Sequence, residues 1–349
     1  MKRPVEKRLN DSFNVLILGM GGDVSKGIWK AIKKSEIPCR IIGACISLSS
    51  EGLYLCDTAY VAPLAADDAF IPWLIDICNR EKIDIVFTGV EENVLAISKA
   101  ISELQEKTTA VFRVCTPEQL EIGGDKYKTC LWLEDHGFPT PGYALADDEE
   151  SCRRLGDKVG YPLVVKPRGG KGSQGVFLIS EETELWRLSG LEGYVVEEYV
   201  GTSDQEYTVG CYYGLHGELP DPIIMRRELK NGASWKTEVV ENERIREQAL
   251  EICKAFKPNG PLNIQLRLRP NGLPVPFELN VRFSGTTPIR AHFGFCDVKA
   301  MIYESLENRD ISSCFSINKG VAYRYVEEIY LSSVPSCGAD GKISWSARD

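Results

Sequence analysis

Glu278, Asn280 and Arg282, spaced two apart in Pro276-Phe-Glu-Leu-Asn-Val-Arg282, offer a carboxylate, an amide and a guanidinium on one face of an extended strand. Phe277, Leu279, Val281 and Phe283 are expected on the opposite face. A hard cation such as Mg²⁺ takes oxygen ligands, usually one or two carboxylates completed by amides, water and substrate phosphates. Arg282 can hold phosphate through two parallel hydrogen bonds. Gln265, thirteen residues before Glu278, sits in a second alternating run, Leu262–Arg269, and the Asn-Gly pair of Pro270-Asn-Gly-Leu273 signals a tight turn. A hairpin is therefore expected to set Gln265 across from Glu278. A polar strand face can also simply meet water, so the weight falls on a second, distant segment.

That segment is Tyr161-Pro-Leu-Val-Val-Lys-Pro-Arg-Gly-Gly-Lys-Gly-Ser-Gln-Gly-Val-Phe-Leu-Ile179. A buried strand delivers Lys166, and a loop with Gly169, Gly170, Gly172, Ser173 and Gly175 follows before a second apolar strand. Backbone N–H groups of such a loop can approach phosphate oxygens because no Cβ blocks them. The loop leads into a strand and not a helix, which excludes a Walker loop. A lysine within Leu-Val-Val-Lys-Pro needs an anion to offset its burial. Downstream, Gly193-Tyr-Val-Val-Glu-Glu-Tyr-Val200 is an apolar strand ending in Glu197 and Glu198, which can accept hydrogen bonds from ribose hydroxyls. Tyr199, Val200 and Glu206 belong to the same stretch, whose backbone can read adenine if a nucleotide pocket lies beside it.

The order Asp125-Lys126, Lys166 with its glycine loop, Val195-Val-Glu-Glu-Tyr-Val200, Gln265, then Glu278-Leu-Asn280-Val-Arg282 resembles the ATP-grasp superfamily from about Asp125 to Arg290. The resemblance implies ATP and Mg²⁺ as cofactors. It makes Lys126 and Lys166 phosphate ligands under the glycine loop, Glu197 or Glu198 the ribose acceptor, and Gln265, Glu278 and Asn280 the metal-side ligands. It makes Arg282 the stabiliser of the transferring phosphoryl group. Glutamine at 265, where a carboxylate is commoner, is similar to the large-subunit branch of carbamoyl phosphate synthetase and its single-module relatives. In the loop Phe283–Gly294, Arg290 is expected to hold a substrate carboxylate or acyl phosphate, with His292 and Cys296 as neighbours of the site. Arg226, Arg227 and Lys236, in the run Ile223–Glu238, face either anions or solvent.

Ahead of this region, Phe13-Asn-Val-Leu-Ile-Leu-Gly-Met-Gly-Gly-Asp-Val predicts a strand, a glycine turn and a helix continuing to Ile32. Further apolar runs at 40–45, 60–62, 83–88 and 110–114 alternate with helical patterns, which predicts a parallel sheet flanked by helices. The glycine spacing fails the dinucleotide fingerprint, so this front unit is expected to lend loops to a substrate cleft. The fold class is thus α/β, turning to α+β in the catalytic part: a Rossmann-like domain over 1–115, a lid with connecting helices over 116–195, a catalytic half over 196–335 and a tail over 336–349.

With 349 residues and a formal charge of −9, the chain has room for several domains and lacks the basic surface that a grip on nucleic acid needs. No apolar stretch is long enough to span a bilayer, and a cytoplasmic setting is expected, with the twelve scattered cysteines reduced and largely buried. The activity implied is an ATP-dependent carboxylate–amine ligase acting on small, amino-acid-like substrates, compatible with a homodimer. The alternatives are phosphorylation of bicarbonate or carbamate, and nucleotide binding without turnover.

Overall fold

The computed structural model describes residues 12–170, 174–188 and 190–346. Its front unit is a parallel sheet of β1 (Phe13–Leu18), β2 (Cys39–Cys45), β3 (Thr58–Val61), β4 (Ile85–Thr88) and β5 (Val111–Phe112), in the order β3-β2-β1-β4-β5. Strand alternation sends Val15, Ile17, Ile41, Ile85 and Phe87 to one core and Leu16, Leu18, Ile42 and Val86 to another. Burial on both faces is what a parallel sheet with flanking helices requires. The strand order reverses between β1 and β4, and the chain segments leaving those two strands, Gly22–Ser25 and Gly89–Glu91, open into the main cavity. Open α/β sheets bind ligands at such a switch point.

The lid is an antiparallel sheet of β6 (Tyr143–Leu145), β7 (Leu163–Pro167), β8 (Phe177–Ile179) and β9 (Tyr194–Glu198), ordered β6-β9-β7-β8 and covered by the helix Glu149–Val159. The sequence boundary at 195/196 falls inside β9, whose Val196 pairs with Ala144 on one side and Val165 on the other. A strand hydrogen-bonded on both edges cannot be divided between units, so the chain leaves the lid only after Glu198.

The larger half is a sheet of β10 (Glu206–Tyr213), β11 (Ile223–Lys230), β12 (Ala233–Val239), β13 (Gly260–Leu268), β14 (Pro274–Asn280) and β15 (Val321–Tyr323), ordered β14-β13-β10-β11-β12-β15. One face presents Val209, Ile224, Leu262, Ile264 and Leu279 to the helix Glu243–Phe256, whose expected stripe of Ile245, Ala249, Ile252 and Phe256 is buried there. The other face is polar and looks into the cavity: Glu206, Thr208, Arg227, Asn263, Gln265, Arg267, Glu278 and Asn280.

The front unit and larger half share one core, in which Val15, Ile17 and Ile28 meet Met225, Phe283 and Phe295. The segment expected as a separate tail folds back onto the front sheet. A short hairpin pairs Ser336–Cys337 with Ile343–Ser344, Val61 N donates to the Gly341 carbonyl at 2.9 Å, and Ile343 enters the shared core. Its apolar residue explains the docking.

Candidate active site

A cavity of about 580 Å³ lies between the lid sheet, the polar face of the larger sheet and the switch point of the front sheet, a size that suits a nucleotide-scale ligand. The expected hairpin is present: β13 pairs with β14 and Gln265 stands opposite Glu278. The alternation of β14 is broken, however, because Gln265 faces Glu278 while Leu266 faces Pro276, leaving Phe277 as an extra, bulged residue. Phe277 consequently lines the cavity beside Glu278 and Asn280, and only Leu279, Val281 and Phe283 are buried as expected. The Lys166 ammonium lies 5.2 Å from the Phe277 ring centroid, a cation–π contact that strict period two does not allow for.

Lys166 and Glu197 are brought together by β7 and β9. Val164 is in register with Glu197, so the two polar side chains occupy neighbouring rungs on the cavity face. Lys166 Nζ reaches Glu197 Oε2 at 2.6 Å, with residues 7% and 2% exposed. Burial pushes the Glu197 carboxyl above its usual range, while the Lys166 charge and hydrogen bond oppose that rise. Glu197 is thus the partner of a phosphate-binding candidate. Its neighbour Glu198 points the other way across the strand, where it pairs with Arg269 and accepts from Gly142 N at 3.1 Å, though it too borders the cavity. Tyr199 and Val200 line the cavity next to it, and the Arg267 guanidinium stacks 4.5 Å from the Tyr199 ring.

Lys126 begins the helix Lys126–Asp135, whose N-cap Asp125 accepts from the backbone of Tyr127 and Lys128. Asp125 also holds Arg168 at 2.6 Å, which ties the start of this helix to the glycine loop. Lys126 Nζ donates to the Gly170 carbonyl at 3.3 Å and faces the cavity. Burial holds the Lys126 ammonium below the ordinary lysine range, and the charge of Lys166 adds to this while Glu278, Glu197 and Glu91 oppose it. Gly169 and Gly170 line the cavity, and Gly170 and Gly175 have φ of 101° and 71°, a region that favours glycine. Gly172 and Ser173 lie outside the described residues. Gly175 is not among the lining residues; its Cβ position faces Pro167 and the Tyr194 hydroxyl at 3.1 Å each, so its role is to shape the turn.

Two expected residues on the larger sheet meet arginines. Gln265 occupies the anticipated position, and its carbonyl oxygen accepts from Arg227 Nη2 at 2.7 Å. Glu206 is clamped between Arg227 at 2.6 Å and Arg267 at 2.7 Å. Burial raises the Glu206 carboxyl, yet the two guanidinium groups outweigh it and hold the group below the usual range. Arg227 therefore belongs to the cavity, whereas Arg226 and Lys236 pair with Glu238 and Glu228 on the outside of the same hairpin. Asn280 Nδ2 donates to Glu278 Oε1 at 3.0 Å, which holds the two expected metal ligands side by side.

Arg282 lines the cavity with its guanidinium committed to Glu91 of the front unit, through Nε at 3.1 Å and through Nη2, and to the Phe283 carbonyl through Nη1 at 2.8 Å. Arg290 is a correction. It is 0% exposed, lies outside the cavity and pairs with Asp297 at 2.9 Å and with the Thr287 hydroxyl at 3.0 Å. The short helix Thr287–His292 turns it inward beneath Gly210, where a Cβ would lie 2.4 Å from Arg290 Nη1. Arg290→Met should cost roughly 3–5 kcal/mol in urea unfolding by stranding the buried Asp297 charge, with ATP affinity of the folded protein unchanged. His292 is exposed, and burial pushes the Cys296 thiol up to about 12, the state of a packing cysteine.

Arg267, Asn263, Thr208, Phe277 and Glu91 are cavity residues that the motifs passed over. Asn263 and Arg267 share the period-two face of Gln265 and were accessible from that alternation. Phe277 required knowledge of the bulge, and Glu91 carries no local signal because its proximity to Arg282 is created by domain packing.

Residues 15–112 match the PylC-like N-terminal domain, and residues 192–329 match the family described as ATP-grasp in the biosynthetic pathway with Ter operon. The chain is 25% identical over 257 residues to a formate-dependent phosphoribosylglycinamide formyltransferase of Synechococcus, covering 70% of this chain and 62% of the relative. It is 22% identical over 236 residues to the carbamoyl phosphate synthase large chain of Sulfolobus acidocaldarius, 64% of this chain and 22% of that one. The chain thus spans less than two thirds of these relatives. The N5-carboxyaminoimidazole synthetase of Staphylococcus aureus complexed with ADP superposes with a TM-score of 0.68 at 17% identity, over 90% of this chain and 81% of the other. The corresponding ribonucleotide synthetase of Thermus thermophilus gives 0.67 at 17% identity, over 96% and 94%. Residues 192–329 thus match an ATP-grasp family, behind a segment, 15–112, that matches the PylC-like N-terminal domain.

Proposed function

We propose that the protein is an ATP-dependent carboxylate–amine ligase. A carboxylate oxygen of the acid attacks the γ-phosphorus of ATP, ADP leaves, and an amine then attacks the acyl carbon of the resulting acyl phosphate. A C–N bond forms, the acyl–oxygen bond breaks with release of phosphate, and the amine loses a proton. The observation that carries this reading is the convergence, in one cavity, of Lys126, Lys166, Glu278, Asn280 and Arg282 from segments far apart in the chain. Phosphoryl transfer needs positioning and charge neutralisation more than covalent participation, and this side-chain set provides both.

The cavity fits a hard divalent cation in its donor chemistry. Neither histidine nor cysteine is among the described lining residues, and Glu278 and Asn280 stand adjacent as oxygen ligands. Mg²⁺ held there with the phosphates supplies charge neutralisation and alignment of the triphosphate. Lys126 and Lys166 would hold the phosphates from the lid side, Glu198, Tyr199 and Val200 border the place for ribose and base, and the loop containing Gly170 would cover the phosphates. The names of the relatives include a phosphoribosylamine–glycine ligase as well as carboxylases. The cue for bicarbonate phosphorylation is Gln265, whose carbonyl accepts from Arg227, and ADP release separates the two readings.

The test is ADP release from MgATP across paired acids and amines. ADP formation that needs both partners supports the ligase; formation with bicarbonate alone, or with nothing added, contradicts it. The Lys126 environment adds a pH signature. Its charge is present below its pKa and lost above it, and that pKa is depressed by burial. kcat/KM for ATP should therefore fall on the alkaline side at a pH below the ~10.4 of an ordinary lysine, and Lys126→Arg should move that limb upward.

A further inference from the structure

Four arginines line the cavity among the described residues: Arg227, Arg267, Arg282 and Arg324. Arg227 and Arg267 are spent on Glu206, and all three guanidinium nitrogens of Arg282 are occupied by Glu91 and the Phe283 carbonyl. Arg324 differs. It follows β15 at the end of the larger sheet and is fixed there by its backbone N–H, which donates to the Trp235 carbonyl at 2.8 Å. Nη2 donates to the Gly285 carbonyl, Nε is buried without a hydrogen-bond partner among the described residues, and Nη1 lies 3.6 Å from Asp23 Oδ2, outside hydrogen-bond distance. Asp23 already has a closer cation, Lys26 Nζ, at 3.1 Å. A guanidinium carries five N–H donors in a fixed fork, so Arg324 retains donor capacity that the protein leaves unused.

Its position gives that capacity a use. Arg324 stands at the front-unit end of the cavity, beside Asp23 and Gly285, and Ser25 from the same first turn of the helix Asp23–Ser35, Glu91, Ser284 and Thr286 line the cavity with it. The proposed phosphate ligands occupy the lid side and the floor. A substrate at this end meets one under-used cation and the carboxylates of Asp23 and Glu91. That pattern complements a molecule bearing both a carboxylate and an amino group.

Resting on the ligase reading, we infer that the amine substrate is an amino acid whose own carboxylate is gripped by Arg324, so that the product is a peptide-like amide with a free carboxyl end. Arg324 is then a specificity residue for the acceptor and not a phosphate ligand. The substrate carboxylate takes Nη1 in place of the long contact with Asp23, and the amino group is left toward Asp23 and Glu91, on the side of Arg282 and the activated acid.

The experiment is calorimetric binding of the standard amino acids, each paired with its α-carboxamide, to the protein loaded with Mg²⁺ and a non-hydrolysable ATP analogue. At least one amino acid should bind tenfold or more tightly than its amide, Arg324→Met should abolish that preference, and Arg324→Lys, which keeps the charge without the fork, should give an intermediate ratio. The unfolding midpoint of each variant controls for loss of fold. Equal binding of every acid and amide, or a preference that survives in Arg324→Met, overturns the assignment. Failure of the ligase reading is separately visible: carboxylate-dependent binding through Arg324 would persist while ADP release stayed absent for every acid and amine pair.

Discussion

Glu278→Ala is expected to lower ATP-dependent turnover by about 10³-fold or more, the scale of losing a metal ligand and its electrostatic contribution in phosphoryl transfer. Glu278 is the carboxylate of the donor pair with Asn280, and its register opposite Gln265 sets it on the cavity face. It is only half-buried, so the unfolding midpoint should move little. Coupled ADP-release kinetics across a Mg²⁺ titration make the check. Retained turnover at saturating Mg²⁺ would show that the metal is held elsewhere.

Lys166→Met should have two effects of different origin. Nucleotide affinity should fall by at least tenfold, because a phosphate-facing cation is removed. Stability should fall by roughly 3–5 kcal/mol, because Glu197 is left buried beside an apolar side chain. The double variant Lys166→Met, Glu197→Gln separates the two: it removes the stranded charge and should recover most of the stability while leaving nucleotide affinity low. Urea unfolding and equilibrium nucleotide binding on the three proteins decide it. Recovery of both properties in the double variant would mean that Lys166 serves only to neutralise Glu197.

Much of this fold is legible in the chain because its patterns are local. The parallel front sheet follows from apolar runs separated by helical periods, the helix Glu243–Phe256 from its stripe, and the pairing of Gln265 with Glu278 from an Asn-Gly turn between alternating strands. The site is legible where one strand delivers one residue, as for Lys166 and Glu278. It is not where geometry is made between segments. Arg290 looks like an exposed cation in a polar loop until the short helix Thr287–His292 turns it onto Asp297. Gln265 is in the expected register, yet Arg227 from two strands away claims its oxygen. The bulge that turns Phe277 to Lys166 shifts a period that sequence can only assume to be regular. The Arg282 pairing with Glu91 exists because the front unit and the larger sheet share a core.

A crystal structure with Mg²⁺ and a non-hydrolysable ATP analogue tests the central claim most directly. The terminal phosphates should lie within hydrogen-bond reach of Lys126 and Lys166, with the metal on Glu278 and Asn280 and the base beside Tyr199 and Val200. A nucleotide seated instead on the glycine turn between β1 and the helix Asp23–Ser35, with Lys166 still closed on Glu197, would contradict it.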